Sequence, residues 1–264
     1  MCRWVAYSGP PVLLEDVLFS PRHSLVQQSL SARESVVTTN ADGFGVAWYG
    51  SRSEPGLFKD ILPAWHDENL SSISRQIESQ LFFAHVRAAT GTAVTRANCH
   101  PFIFENWSFM HNGKLGGWGD HRRQMEGLID SAFYRERAGT TDSEALFLIA
   151  LSHGLREDPL DGFTRALSKI LRIQSEGEVS EPTRISACLS DGKSIWALRY
   201  SSDRKSPSMY LGAPFAGPHG ADGDRITTVA SEPFDNDAAH WRAVEEGTVL
   251  HLHDGVATQT KIYL

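Results

Sequence analysis

Short runs of β-branched and aromatic residues recur along the chain and predict strands. The predicted strands cover residues 3–7, 44–49, 81–87, 107–111, 184–189, 194–200, 226–230 and 248–253. Turn residues separate neighbouring runs, as at residues 190–193 (SDGK). These runs are sufficient for two β-sheets.

Helical periodicity is concentrated in the middle of the chain. The predicted helices cover residues 70–79, 143–153 and 160–173. In the second helix Leu146, Ile149 and Ala150 share one face, and Thr141 or Asp142 is expected to cap its N-terminus. Paired strands with the helices grouped between them favour antiparallel sheets covered by helices over a regular βαβ alternation.

The composition is that of one globular domain. Of the 264 residues, 41% are hydrophobic and 22% are charged, which provides apolar side chains for a sizeable core. No run approaches the roughly 18 to 20 apolar residues of a transmembrane helix, and the N-terminal residues lack the apolar region of a signal peptide. We therefore expect a cytoplasmic protein with no membrane association.

Charge and cysteine usage argue against several kinds of partner. The formal net charge is −7 and the basic residues form no stripe, so nucleic acid is not expected as a ligand. Cys2, Cys99 and Cys188 are an odd number of cysteines without CxxC spacing, which indicates neither a disulfide framework nor a four-cysteine zinc site. Neither a cofactor nor a metal is predicted.

Cys2 is a candidate nucleophile because of its position in the chain. Removal of Met1 would place a thiol and a free α-amine on one residue, and such an amine titrates near pH ~7.7 to 8. At neutral pH the amine can then accept the thiol proton, directly or through water. The signal is weak by itself, and the alternative is a small hydrophobic residue that begins an edge strand.

Five polar clusters follow Cys2 along the chain. They are residues 40–45 (NADGFG), 85–91 (HVRAATG), 98–102 (NCHPF), 111–113 (HNG) and 141–144 (TDSE). Each cluster alone is a weak signal, but the combination is specific. Over roughly residues 2 to 150 it resembles the class II glutamine amidotransferases, which are N-terminal-nucleophile enzymes.

The resemblance implies a fold and a reaction. The implied fold is α+β, a four-layer αββα sandwich of two mainly antiparallel sheets, in a single type-2 amidotransferase domain spanning residues 1–264. Cys2 is expected to end a strand at a sheet edge. Its thiol would attack the γ-amide of glutamine or of a γ-glutamyl compound, form a glutamyl thioester, and release glutamate together with ammonia or an amine.

Asn112 and Gly113 match the residues of the family's oxyanion hole. A side-chain amide N–H and a backbone N–H would together stabilise the oxygen that becomes negative in the tetrahedral intermediate. The alternative for residues 111–113 is a tight hairpin turn, because Asn-Gly is the commonest dipeptide of such turns.

Three further residues match the family's binding site for the glutamyl head group. Arg87 would bind the α-carboxylate through a bidentate pair, Asp142 would bind the α-ammonium, and Thr90 would add a hydrogen bond. The alternatives are a surface arginine at a strand end and a helix-capping aspartate, and Asp142 is able to fill both of its roles.

The remaining matches are expected around the same pocket. Asp42 and Gly43 are predicted in a turn that enters the strand at residues 44–49, close to the nucleophile. His85 and His100 are interpreted as walls of the substrate pocket. The alternatives are a hairpin corner that only needs positive φ, and buried histidines with structural roles.

Two departures from the pattern bear on the substrate. Ala88 and Gly91 stand where synthase-type domains often carry tryptophan and histidine. Such small residues resemble the stand-alone branch of the family, the ergothioneine-pathway and glutathione-degrading γ-glutamyl amidohydrolases. After Asp142 the chain contains no phosphate loop and no GxGxxG, so ammonia would need an acceptor on a synthetase or another partner protein.

Two other functions stay open from the residues alone. One is a γ-glutamyl conjugate hydrolase without ammonia transfer, which would use the same side chains. The other is a catalytically silent subunit that senses glutamine, and retention of Met1 would be its signature because the α-amine would be blocked.

Overall fold

The computed structural model describes residues 2–34, 38–89, 91–212, 227–254, 256–262 and 264. The strands are β1 Arg3–Leu13, β2 Phe44–Tyr49, β3 Gly56–Asp60, β4 Glu78–Val86, β5 Phe102–Phe104, β6 Trp107–Lys114, β7 Arg184–Ser190, β8 Ser194–Ser201, β9 Tyr210–Gly212, β10 Thr227–Ala230, β11 Trp241–Ala243, β12 Thr248–His253 and β13 Val256–Lys261. The α-helices are α1 Leu14–Leu18, α2 Leu25–Leu30, α3 Glu68–Ser74, α4 Trp118–Glu126, α5 Ser131–Tyr134, α6 Asp142–Ser152 and α7 Pro159–Glu176. The predictions for Thr90 and Ile226 fall outside these ranges.

Two antiparallel sheets form the centre of the molecule. One has seven strands in the order β11-β9-β10-β1-β4-β2-β3, and the other has six in the order β13-β12-β8-β7-β6-β5. Every pairing between described strands is antiparallel, as the paired runs predicted. The strand that follows Cys2 lies between β10 and β4, so the expected position at a sheet edge is wrong. Strands from the C-terminal part of the chain extend the sheet beyond β1.

Three buried clusters separate four layers. Helices α1 to α3 cover the outer face of the seven-stranded sheet, where Leu70 and Phe82 belong to one cluster. Helices α4 to α7 cover the six-stranded sheet, where the rings of Phe109 and Phe147 stack with centroids 5.3 Å apart. The third cluster, which contains Trp4, lies between the sheets. The αββα sandwich is therefore confirmed. Among the described residues no helix is long and apolar enough to cross a membrane.

Alternation along β1 determines the face on which Cys2 lies. Trp4 belongs to the cluster between the sheets, whereas Val5 belongs to the cluster beneath α1 to α3. Successive residues of a strand point to opposite faces. Cys2 therefore shares the inner face with Trp4, and Arg3 shares the outer face with Val5.

Residues 112 and 113 continue strand β6. Asn112 pairs with Ser186 and Gly113 pairs with Ile185 of β7. The predicted strand ended one residue before this pair. The hairpin-turn alternative is wrong, because the ladder with β7 runs past both residues.

The predicted helix at residues 70–79 is wrong in its second half. Helix α3 ends at Ser74, and β4 begins at Glu78. Ser79 pairs with Val12 and Glu78 pairs with Leu13 of β1. Pairing with a strand distant in sequence overrides the local helical pattern. The other two predicted helices are present as α6 and α7, with small shifts at their ends.

Candidate active site

Cys2 directly precedes β1 on the inner face of the seven-stranded sheet. Its neighbour Arg3 pairs with Val86 of β4, and its Sγ lies 3.6 Å from the carbonyl oxygen of Ala88. The residue is partly exposed. Burial raises the pKa of the Cys2 thiol, while the positive charges of Arg87 and Arg3 act in the opposite direction. A thiol of raised pKa requires a base before it can act as a nucleophile.

Arg87 and the turn at residues 42 and 43 are interlocked beside the nucleophile. The Arg87 N–H donates to the Gly43 carbonyl at 2.8 Å, and the Asp42 N–H donates to the Arg87 carbonyl at 3.0 Å. Asp42 Oδ2 accepts from the Ala89 N–H at 2.7 Å. Arg87 is 3% exposed, and its Nη2 donates to Thr92 Oγ1 at 2.6 Å. Arg87 is thus a buried cation at the site rather than a surface residue.

Two glycines let the segment around His100 lie directly against the start of β2. Gly43 has φ +106°, and a Cβ there would lie 2.6 Å from Cys99 Sγ. A Cβ at Gly45 would lie 2.1 Å from the His100 carbonyl oxygen. Both distances are shorter than a van der Waals contact, so any side chain at either position would displace the pocket wall.

His85 and His100 form a stacked pair, with ring centroids 4.2 Å apart. Both are buried, and none of their four ring nitrogens has a hydrogen-bond partner among the described residues. Burial lowers the pKa of His85 to about 3, and the charge of Arg87 acts in the same direction. Burial and the neighbouring His85 also lower the pKa of His100. Both rings are therefore neutral near pH 7, and each offers one donor and one acceptor.

Asn112 and Gly113 lie near the end of β6. Asn112 is 2% exposed, and its Nδ2 has no hydrogen-bond partner among the described residues. Met110, two residues earlier, packs between the sheets, so the same alternation directs Asn112 towards the seven-stranded sheet. Gly113 has φ +150°, and a Cβ there would lie 1.9 Å from the Arg184 carbonyl oxygen. Only glycine fits at this position.

Asp142 is the first residue of α6. The cap of that helix is Thr141, whose Oγ1 accepts from the Glu144 N–H at 3.2 Å. The two carboxylate oxygens of Asp142 accept from the Leu115 and Ser143 N–H groups, each at 2.8 Å. Asp142 thus connects the start of α6 to the chain that follows β6.

The structure brings Cys2, Arg87 and the turn at residues 42 and 43 together at one end of the seven-stranded sheet, while Asn112 and Asp142 lie on β6 and α6. The ends of the neighbouring strands β1, β4 and β2 supply the thiol, the buried arginine and the turn, while β6 contributes the amide. β6 contacts β1 and β4 across the interface. Thr90 lies outside the described residues. Within the described ranges, no group of three or more His, Cys, Asp or Glu side chains could hold a metal ion.

A thiol, a buried arginine and an unpaired amide donor are the parts that amide hydrolysis of an anionic substrate requires. A family model described as class II glutamine amidotransferases matches residues 16–263. The chain belongs to the class II glutamine amidotransferase family. The match also includes the C-terminal strands of this amidotransferase, in which we found no motif.

Two curated relatives resemble this amidotransferase along most of its length. It is 32% identical to the probable glutamine amidotransferase DUG3 of Saccharomyces cerevisiae, over 96% of this chain and 82% of the yeast protein. It is 24% identical to the gamma-glutamyl-hercynylcysteine sulfoxide hydrolase of Mycolicibacterium smegmatis, over 99% of this chain and 100% of that protein. The amidotransferase is therefore an enzyme of the amidohydrolase type.

Solved structures agree with the fold. A glutamine aminotransferase class-II domain protein from Silicibacter pomeroyi superimposes with a TM-score of 0.74 at 35% identity, over 99% of both chains. The glutamine phosphoribosylpyrophosphate amidotransferase of B. subtilis superimposes with a TM-score of 0.67 at 17% identity, over 98% of this chain and 49% of that one. The second likeness shows the shared N-terminal-nucleophile fold alone.

Two residues without a predicted role connect segments around the site of this amidotransferase. Asn98 is buried; its Oδ1 accepts from the Thr140 N–H at 2.7 Å, and its Nδ2 donates to the Ala93 carbonyl at 2.9 Å. It connects the segment after Arg87 to the start of α6, and its presence in one of the polar clusters was an available signal. Glu232 lies in no motif, and only the structure places it near the N-terminus.

Proposed function

We propose that this enzyme hydrolyses the γ-amide bond of γ-glutamyl compounds, with Cys2 as nucleophile and the Cys2 α-amine as base. The observation that carries the proposal is Asn112 Nδ2, a buried donor without a partner among the described residues. A buried polar group left unpaired costs about 1–3 kcal/mol. A developing oxyanion at the end of the Cys2 strand would supply the missing acceptor.

The reaction then proceeds through a thioester. The α-amine takes the thiol proton, and Sγ forms a bond to the γ-carbonyl carbon. The N–H groups of Asn112 and Gly113 stabilise the negative oxygen. Collapse of this intermediate breaks the C–N bond, and the leaving amine takes the proton held by the α-ammonium. Water then attacks the thioester, which releases glutamate and restores the thiol.

Arg87 and Asp142 hold the glutamyl head group in this proposal. Buried beneath the 42–43 turn, Arg87 keeps guanidinium donors available beyond its bonds to Thr92 Oγ1 and to the Asp42 carbonyl, and it pairs with the α-carboxylate. Asp142 accepts the α-ammonium. Thr90 adds a hydrogen bond to the same head group.

The remaining predicted residues shape the pocket. Asp42 and Gly43 form its wall next to Arg87. His85 and His100, neutral and without protein partners among the described residues, offer hydrogen bonds to the substrate or to water bound in the pocket. Asp42 also fixes the backbone beside Cys2 through its bond to the Ala89 N–H.

We favour a leaving group larger than ammonia because small residues stand at positions 88 and 91. The residue whose carbonyl faces Cys2 Sγ is only an alanine, Ala88. A Cβ built on Gly91 would meet no atom within 4 Å. The name of the mycobacterial relative describes hydrolysis of a γ-glutamyl conjugate. Glutamine remains a substrate of the same class, and its ammonia would then pass to a partner protein.

We further propose that one amidotransferase domain spans residues 1–264 and acts in the cytoplasm. Pairing of β1 with β10, from opposite ends of the chain, supports a single folding unit.

Intact mass and glutamate release test the function together. Protein lacking Met1 is incubated with glutamine and, separately, with a γ-glutamyl dipeptide, and free glutamate is quantified. Release from either substrate supports hydrolysis, and the ratio of the two kcat/KM values separates a glutaminase from a conjugate hydrolase. If Met1 is absent and neither substrate yields glutamate, the mechanism is wrong and a glutamine-sensing role gains support.

A further inference from the structure

A buried ion pair lies behind the nucleophile, on the opposite face of the sheet. Arg3 is fully buried, and its Nε lies 2.8 Å from Oε1 of Glu232. Its Nη2 donates to the Glu34 carbonyl at 3.0 Å. The residue next to Cys2 is therefore held by its side chain from beneath the sheet.

Glu232 is held in turn by several donors. The His23 ring nitrogen Nε2 lies 2.9 Å from its Oε2. The Arg33 N–H donates to the same oxygen at 2.9 Å, and the Glu34 N–H donates to Oε1 at 2.9 Å. These partners fix the position of the Glu232 carboxylate, and the carboxylate in turn fixes the Arg3 side chain that contacts it.

The backbone hydrogen bonds explain why a side-chain anchor is needed. The ladder between β1 and β10 has its last pair at Val5 and Ala230. Beyond it, Ser231 exchanges hydrogen bonds with Trp4, since its N–H donates to the Trp4 carbonyl and its Oγ accepts the Trp4 N–H. On this side of the strand, the described anchor nearest to Cys2 is the Arg3 side chain. On the other side, β4 still pairs with Arg3 through Val86.

We propose that Arg3, clamped by Glu232, is a positioning residue that fixes the thiol and α-amine of Cys2 relative to the substrate carbonyl. This proposal rests on the proposed function. Displacing a reacting group by about 1 Å can cost on the order of 100-fold in rate. The head group binds to Arg87 and Asp142 on other elements, so a loosened Cys2 affects kcat and leaves KM nearly unchanged.

The test is steady-state kinetics of Arg3→Met and Arg3→Lys with the preferred γ-glutamyl substrate. Arg3→Met keeps an unbranched apolar stem and leaves Glu232 with its other donors. We expect kcat to fall at least about 10-fold with KM within about 3-fold, the signature of a lost transition-state interaction.

Arg3→Lys separates position from charge. It keeps the positive charge near the thiol but loses the fork that contacts Glu232 and the Glu34 carbonyl together. Alkylation of Cys2 by iodoacetamide, located by peptide mass, should therefore stay within about 2-fold of wild type, while kcat stays at least about 5-fold low. Recovery of full kcat by Arg3→Lys would mean that charge alone matters and would overturn the proposal.

Two further variants control for folding. If Arg3→Met fails to fold, Arg3→Met combined with Glu232→Gln removes both buried charges and is expected to fold with the same loss of kcat. Glu246→Gln is the matched control, since Glu246 accepts from the Ser206 N–H and hydroxyl and forms no described hydrogen bond or ion pair with Cys2 or Arg3, and kcat should be retained. If the wild type is active and the Arg3 variants keep full kcat, the positioning role of Arg3 is wrong but the proposed function stands. An inactive wild type lacking Met1 contradicts the proposed function, and the clamp proposal falls with it.

Discussion

The two faces of the sheet at the start of β1 carry buried polar groups of opposite character. On the outer face, both oxygens of Glu232 accept backbone N–H bonds from the Arg33–Glu34 segment, His23 Nε2 lies 2.9 Å from Oε2, and Arg3 Nε makes an ion-pair contact with Oε1 that is not a hydrogen bond. On the inner face, the His85 and His100 rings and the Asn112 amide nitrogen have no partner among the described residues.

The difference distinguishes polar groups that hold the structure in place from polar groups that are available to bind a ligand. Proteins rarely leave buried polar groups unpaired, because each costs free energy of folding. A paired cluster stabilises a local geometry, whereas unpaired groups on the face of the sheet that carries Cys2 retain their bonding capacity for a ligand. Four variants or conditions test whether this contrast holds, beginning with the largest expected effect.

Replacing Cys2 by Ala tests whether this thiol on the inner face is the nucleophile. We expect glutamate release to fall by at least about 1,000-fold, since the covalent path is removed. The free energy of unfolding should change by less than about 0.5 kcal/mol, because the side chain is partly exposed. Cys188→Ala is the control: it lies between the sheets and should keep activity while losing stability. Substantial turnover by the Cys2 variant would end the proposed mechanism.

Asn112→Ala removes an unpaired donor. We expect kcat to fall about 100- to 1,000-fold, as for loss of one oxyanion-hole donor. Stability should hardly decrease, since no hydrogen bond of Nδ2 is lost. Asn106→Ala provides the contrast: its Nδ2 donates to the Asp191 carbonyl at 2.9 Å, and its loss should cost about 1 kcal/mol without affecting kcat. A stability loss at position 112 equal to that at 106, with kcat intact, would assign Asn112 a structural role.

The two faces should also differ in their response to acid. His85 has a folded pKa of about 3 against an ordinary value of 6.5, so the unfolded state binds an extra proton between these values. Stability is complete above pH 6.5 and falls as the pH decreases, by about 2 kcal/mol between pH 7 and 5 for His85 alone. Urea unfolding at both pH values measures this loss, and His85→Leu should reduce it.

Glu232 should contribute in a lower pH window. Its partners, His23 and the Arg33 and Glu34 N–H groups among them, lower the pKa of its carboxyl below 4.5 despite the opposing effect of burial. Its contribution to stability is therefore intact above pH 4.5 and is lost only as the pH falls through the folded pKa. For His85, an identical free energy of unfolding at pH 7 and pH 5 would contradict the interpretation of a buried, neutral ring.

The smallest expected effect concerns Arg87→Lys. An ammonium keeps the charge but cannot form a bidentate pair with a carboxylate, so KM should rise about 10-fold while kcat changes little. Kinetics with glutamine and with a γ-glutamyl dipeptide measure it. Arg156→Lys is the control, because this partly exposed arginine pairs with Glu105 and lies over the ring of Phe104, and its replacement should leave KM unchanged. An unchanged KM for Arg87→Lys would remove Arg87 from the head-group site.

The local sequence pattern predicted interior strands well and the outer strands of the two sheets poorly. The predicted strands at residues 44–49 and 248–253 match β2 and β12 at both ends. The strands without a predicted counterpart are β3, β5, β9, β11 and β13, and four of these are the outer strands of the two sheets. Edge strands are short and lie partly in solvent, so their hydrophobic alternation is weak. The six residues of β13 are all exposed.

The sequence by itself determined the family and the antiparallel αββα architecture, because these depend on motif order and local periodicity, and it supplied the residues proposed for the site. Only the tertiary structure decided that β1 lies inside its sheet, that Asn112 continues a strand, and that Glu232 reaches Arg3. Each of these depends on pairing between segments far apart in the chain. Such pairing is selected by the burial and hydrogen bonding of the whole fold, and no local pattern records it.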